Sequence, residues 1–237
     1  MKMYALAAIA VGLFVIGCSS DDTTSPNGNV SVESSIESPT VSMFSTPGDR
    51  VQGRSMVDSI TVTRVRVLVS RMILRPDGKS DNDSSADCKV KTEPFVYIAD
   101  STGTKVVASA SVPNGSYDRI KYEIHRFSSS EVPSYLNDTI FRDFVTNDRY
   151  TVIIEGTLVR DGSARQPFVY RSDATANVKV NFAPSLTVSD GTPATLSLRF
   201  NAANVFRDGS DLLDPEDGKN ESKIDNNIKA AFKANKK

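Results

Sequence analysis

The chain has 237 residues, with 28 Lys and Arg against 29 Asp and Glu and a formal net charge of −1. That balance lacks the cationic excess by which proteins capture nucleic acid, so no nucleic-acid partner is expected. With two cysteines and one histidine the chain cannot build a disulfide framework or a multi-thiolate zinc site.

The first element is a targeting segment. Lys2 is followed by an apolar run over residues 4–16 and then by Gly17-Cys18. About a dozen apolar residues fall short of the roughly 20 that a helix needs to span a bilayer. The small residue before a cysteine resembles a bacterial lipoprotein signal peptide, which implies cleavage before Cys18 and acylation of that residue. An ordinary secretory signal is the competing reading. Acyl chains such as palmitate, at about 0.8 kcal/mol per buried CH₂, would fasten the protein stably once two or more are present. Ser19-Ser20-Asp21-Asp22 resembles the short acidic signal that sends some lipoproteins to the outer face of the outer membrane, and it reads equally well as the start of a polar linker. Residues 18–50 are rich in Ser, Thr, Pro, Asp and Gly, a composition expected to form a flexible tether.

A β-rich body is expected over residues 51–207. Residues 59–75 form a long β-branched run in which Val65, Val67, Val69 and Ile73 share one parity while Ile60, Val62, Met72 and Leu74 share the other. Such a phase change predicts a bulge or a bend near Thr63 or Ser70. Pro76-Asp77-Gly78 predicts a turn, and further strands are expected over 94–99, 105–112 and 117–127, the last with Ile120, Tyr122 and Ile124 facing inward. A second set is expected over 139–144, 150–160, 166–171, 177–182 and 194–200, punctuated by Asp161-Gly162 and Asp190-Gly191. Pro94-Phe95-Val96-Tyr97 recurs as Pro167-Phe168-Val169-Tyr170, a repeat too short to separate duplication from shared strand chemistry. Many short strands with Gly and Asp turns predict an all-β fold, an antiparallel β-sandwich. Residues 208–237 then read as an acidic loop and one amphipathic helix, capped by Asn220, with Ile224, Ile228, Ala231 and Phe232 on one stripe.

Val112-Pro113-Asn114-Gly115-Ser116-Tyr117-Asp118-Arg119-Ile120 and Leu196-Ser197-Leu198-Arg199-Phe200-Asn201-Ala202 carry a resemblance to a bacterial lipoprotein domain, the domain of unknown function 4382. The likeness spans roughly residues 41–205. It implies an immunoglobulin-like or transthyretin-like sandwich and no known activity. Asn201 stands where the family pattern has an aspartate, and the acidic tail replaces a plain final strand.

Candidate chemistry is sparse. Asp208, Asp211, Asp214, Glu216 and Asp217 place five carboxylates near Gly209 and Gly218, a composition that could wrap Ca²⁺, although a solvated acidic loop is the favoured reading. The glycine does not sit at the position an EF-hand loop requires. Asp77, Asp81, Asp83 and Asp87 form a second, weaker acidic stretch. Cys88 could act as a nucleophile only beside a base, and His125 falls on the outward parity of its strand. No catalytic residue and no cofactor besides that calcium candidate is nominated, and no enzyme activity is expected. The expectation is a lipid-anchored envelope lipoprotein of the outer membrane, at the cell surface, acting as a binding or structural module. Its partners would be the membrane through the anchor and another surface protein or a glycan. A fibre-assembly subunit and a glycan-binding or carbohydrate-active protein are the alternatives, the latter calling for exposed aromatics such as Tyr135, Phe141 or Tyr170.

Overall fold

The computed structural model of the protein describes residues 29–43, 57–79, 90–189 and 194–236. In chain order the first strands are β1 (Val30–Glu37), β2 (Thr40–Ser42), β3 (Val57–Val69), β4 (Arg71–Pro76), β5 (Val90–Lys91), β6 (Phe95–Asp100), β7 (Lys105–Ala110) and β8 (Gly115–Ile124). A one-turn helix α1 (Val132–Tyr135) precedes β9 (Val152–Arg160), β10 (Gln166–Ser172), β11 (Ala176–Val188) and β12 (Ala194–Asn201). The chain closes with α2 (Ala202–Val205), β13 (Arg207–Asp208), β14 (Asp211–Leu212), α3 (Glu221–Ala231) and β15 (Phe232–Lys236).

Three main sheets build an all-β sandwich: β15-β12-β1-β7, then β10-β9-β3-β2 with β6 also on β3, then β11-β8-β4-β5. Apart from β1 on β12, which is parallel, the strands of these sheets pair antiparallel. Inward residues of all three sheets, among them Val32, Val65, Ile120, Ile154 and Leu198, join one core.

The phase change in the β-branched run is physical. A register shift against β9 falls between Val62 and Arg64, and Ser70 interrupts the run so that β3 and β4 belong to different sheets. Ser70 secures this corner twice, because its backbone N–H (2.8 Å) and its Oγ (2.9 Å) both donate to the Glu123 carbonyl. The bend lets Val65, Val67 and Val69 and, after it, Met72 and Leu74 all reach the same core despite their opposite parities.

The flexible tether expected over 18–50 does not hold for residues 30–42, which form strands β1 and β2. Val30, Val32 and Ser34 are buried, and β1 lies inside a sheet between β12 and β7. The alternation of Val30, Val32 and Ile36 is a strand pattern that serine and threonine concealed, and once two neighbours pair with it the backbone is satisfied. The segment drawn as 208–237 packs onto the same body as the strands before it. Leu213, Ile224, Ile228 and Ala231 enter the main core, and β15 pairs with β12. The helix stripe is as expected through Ala231, but the chain leaves the helix at Phe232, which packs edge-on against Phe200 with ring centres 5.1 Å apart. Asn220 makes no side-chain cap; its Nδ2 donates to the Asp214 carbonyl instead.

No strand forms over 139–144. The chain between β8 and β9 makes α1 and a series of turns that fold over the outer face of β3 and β6, where Leu68, Val96 and Ile153 meet Phe127, Phe141, Phe144 and Val145 in a second core. The Asp161-Gly162 turn between β9 and β10 has positive φ at both residues (50° and 69°), a conformation in which glycine has no Cβ to clash. Gly156 is required for a different reason, since a Cβ there would collide with the Thr61 carbonyl oxygen and approach the Phe168 ring at 2.8 Å. No helix among the described residues is long and apolar enough to cross a membrane.

Candidate functional site

The acidic loop is where the carboxylates of residues 208–217 can be followed one by one. Arg160, at the end of β9, donates from Nε (2.7 Å) and Nη2 (2.8 Å) to the two oxygens of Asp214, and Nη2 also reaches Glu216 Oε2 at 2.6 Å. This bidentate grip fits a planar guanidinium to a planar carboxylate. Asp214 and Glu216 together raise the Arg160 pKa above its ordinary value, so the cation is fixed. Burial would lift the Asp214 carboxyl, but hydrogen bonds from Arg160 and the Glu216 backbone outweigh it and hold the group below the usual aspartate range.

The other three acids have separate duties. Asp208 pairs with Lys223 of α3, Asp211 accepts from Ser210 Oγ, and Asp217 accepts from the Lys219 backbone N–H at 3.0 Å, fixing the turn ahead of the helix. Thus the five candidates for calcium are spread over an arginine, a lysine, a hydroxyl and a backbone amide. Among the described residues, no group of three or more His, Cys, Asp and Glu side chains is placed to hold a metal ion. Of the second acidic stretch, Asp77 accepts a hydrogen bond from Ser185 Oγ (2.7 Å), while Asp81, Asp83 and Asp87 lie outside the described residues.

A second arginine-centred group was not apparent in the sequence. Arg66 of β3, 16% exposed, pairs with Asp143 from the segment folded over its sheet and with Glu155 on β9 at 3.1 Å. The Arg66 hydrogen bond holds the Asp143 carboxyl below its ordinary value. Each of these two carboxylate pairs, Asp143 with Glu155 and Asp214 with Glu216, therefore closes on a guanidinium. Nothing in linear spacing joins positions 66, 143 and 155, or 160 and 214; only the fold brings them together.

The aromatic residues considered for a glycan platform are turned inward. Tyr135 stacks on Phe127 with centroids 4.4 Å apart, and Phe141 meets both rings edge-on. Phe141 and Tyr170 are buried, and Tyr170 donates to Asp225 Oδ1 at 2.8 Å. Burial, with Asp225 beside it, drives the Tyr170 phenol far above its ordinary pKa. Among the described residues, the exposed large apolar side chains are Leu136, Ile140 and Val169.

His125 is half-buried on the outward side of β8, its Nε2 3.5 Å from Asn177 Oδ1. Cys88 and Cys18 lie outside the described residues. In the turn after β7, the Tyr117 hydroxyl donates to the Pro113 carbonyl at 2.8 Å and so closes residues 113–117 upon themselves.

Compared with known proteins, the chain matches no protein-family model, no curated protein and no solved structure.

Proposed function

We propose that this protein is a lipid-anchored envelope lipoprotein whose β-sandwich body serves as a non-catalytic binding or structural module at the outer membrane, facing the cell surface. The observation that carries the reading is the apolar run over residues 4–16 ending in Gly17-Cys18. Such a run is too short for a permanent span and ends in the thiol that acyl transfer requires. Support for a scaffold role comes from how the body spends its polar chemistry. Arg66 and Arg160 each pair with two carboxylates, and the aromatic rings fill cores. What such a body offers to a partner is a rigid shape with loops at its ends, and loops on rigid scaffolds are where recognition commonly resides.

The test is fractionation of cells expressing the full chain, with mass spectrometry of the amino-terminal peptide. The wild-type protein is expected in the membrane fraction with an acylated Cys18, and Cys18→Ser in the soluble fraction. An unmodified Cys18 thiol, or undiminished membrane retention of Cys18→Ser, overturns the proposal.

A further inference from the structure

We infer that one end of the sandwich is its bilayer-facing surface, the end formed by Asn29, the turn over residues 111–116, Asp77 and Lys236, with phospholipid head groups as what it faces. This rests on the lipoprotein reading above and adds an orientation to it.

These segments meet through direct contacts. Asn29, which leads into β1, exchanges two hydrogen bonds with the Val112 backbone, Nδ2 to the carbonyl at 2.7 Å and N–H to Oδ1 at 2.8 Å. Its own carbonyl accepts from the Ala194 N–H at 2.8 Å, where β12 begins. Asp77 N–H donates to the Ser116 carbonyl (2.8 Å) and Asp77 Oδ2 accepts from Ser185 Oγ. The Lys236 ammonium reaches the carbonyls of Pro184 and Ser185. The entry of β1, the β7–β8 turn, the end of β4 and the end of β15 are therefore one surface.

The chain length then limits where this surface can go. Eleven Cα–Cα steps separate Cys18 from Asn29, and however they are arranged they span at most about 40 Å. From Val30 to Glu37 the strand itself rises about 25 Å. At its far end Glu37 is paired with Asn201, and α2 with exposed Asn204 follows directly. Resting the α2 end on the membrane would lift Asn29 by the height of the sheet and use most of the available reach. With the Asn29 end down, the same stretch is slack. A tether reaching to about residue 50, as composition alone indicated, would impose no such preference; the placement of β1 creates it.

The surface is also suited to lying against head groups without entering the acyl region. Ser111, Asn114, Ser116, Asp77 and Lys79 are exposed there, and both signs of charge are present. Among the described residues, the exposed large apolar side chains Leu136, Ile140 and Val169 lie outside these segments.

The experiment uses the full-length acylated protein, Cys88→Ala, carrying a fluorescent donor at either Asn114→Cys or Asn204→Cys. It is reconstituted on phosphatidylcholine–phosphatidylglycerol vesicles that contain an acceptor-labelled lipid. Energy transfer several-fold more efficient from position 114 than from 204 is expected, with the contrast collapsing when a long Gly-Ser segment is inserted after Asp22. Equal or reversed transfer from protein that sediments with the vesicles overturns the orientation alone, as does a contrast that survives the insertion. Failure of the full chain to acquire the acyl group and sediment overturns the lipoprotein reading and the orientation with it.

Discussion

Arg160 holds both oxygens of Asp214, 2.7 and 2.8 Å away, and so ties the last residue of β9 to a loop more than fifty positions later in the chain. Both side chains are mostly shielded from solvent, whereas the Asp208–Lys223 pair in the same segment is open to it. Arg160→Ala is therefore expected to cost about 2 kcal/mol, because charge-assisted hydrogen bonds vanish and the part-buried Asp214 carboxylate loses its cation, keeping only the Glu216 backbone N–H. Asp208→Ala should cost less than about 0.5 kcal/mol, as exposed ion pairs do. Urea unfolding midpoints at unchanged slope are the measurement; equal losses would refute the distinction.

Acid should act on the same contact. Asp214 and Asp143 both titrate lower in the folded protein than in a free chain. The unfolded state thus binds more protons than the folded one, and stability rises with pH through this window. The contribution is present above the unfolded aspartate value of about 4 and is lost as pH falls through the lower folded values. Thermal unfolding from neutral pH down to strongly acid conditions should show a fall in the wild type that is shallower in Arg160→Ala. Identical slopes would argue that Asp214 is not held by this arginine in solution.

Gly156→Ala is expected to be among the most damaging small substitutions, at about 3 kcal/mol, since the added methyl meets a backbone oxygen in the middle of a sheet and a buried ring that cannot both retreat. A circular-dichroism melt of that variant decides it. A change within the error of the wild-type curve would mean that β9 and β3 can separate locally at little cost.

Phe144 is fully buried in the second core, beneath the turns that precede β9. Phe144→Ala should cost about 3 to 4 kcal/mol, with amide exchange accelerating first in residues 127–150. Ile140→Ser, at an exposed position of the same segment, should change stability by less than about 0.5 kcal/mol. If both variants behave alike, the segment is not packed through Phe144.

Much of this fold could be read from alternation, and the errors have a common origin. The inward Ile120, Tyr122 and Ile124 and the bends at Thr63 and Ser70 follow from period-two arithmetic, which needs no knowledge of neighbours. Strand β1 escaped notice because Ser31, Ser34 and Ser35 dilute its valines, and its stability comes from two partner strands far along the chain. Residues 139–144 carry strand-like Thr139, Ile140 and Phe141, yet no free sheet edge receives them; Phe141 and Phe144 find an aromatic cluster instead. Phe232 and Ala234 fit a helix stripe and a strand equally well, and pairing with Phe200 and Leu198 selected the strand. The arginine-centred groups were illegible for a simpler reason. Surface-rich residues such as Asp143, Glu155 and Asp214 look alike in a sequence, and only tertiary proximity distinguishes the paired from the solvated.

The parallel match of Val30–Glu37 with Ala194–Asn201 has a bearing on how the molecule is made. Synthesis proceeds from the amino terminus at about 5–20 residues per second, so the earlier strand waits roughly 8 to 30 seconds for its mate. Its valines have neither neighbour until residue 110 is made and only β7 after that, so a holding chaperone would be needed in between. A ribosome stalled before codon 194 would leave a nascent polypeptide whose first strand is open along one side and prone to capture by other chains.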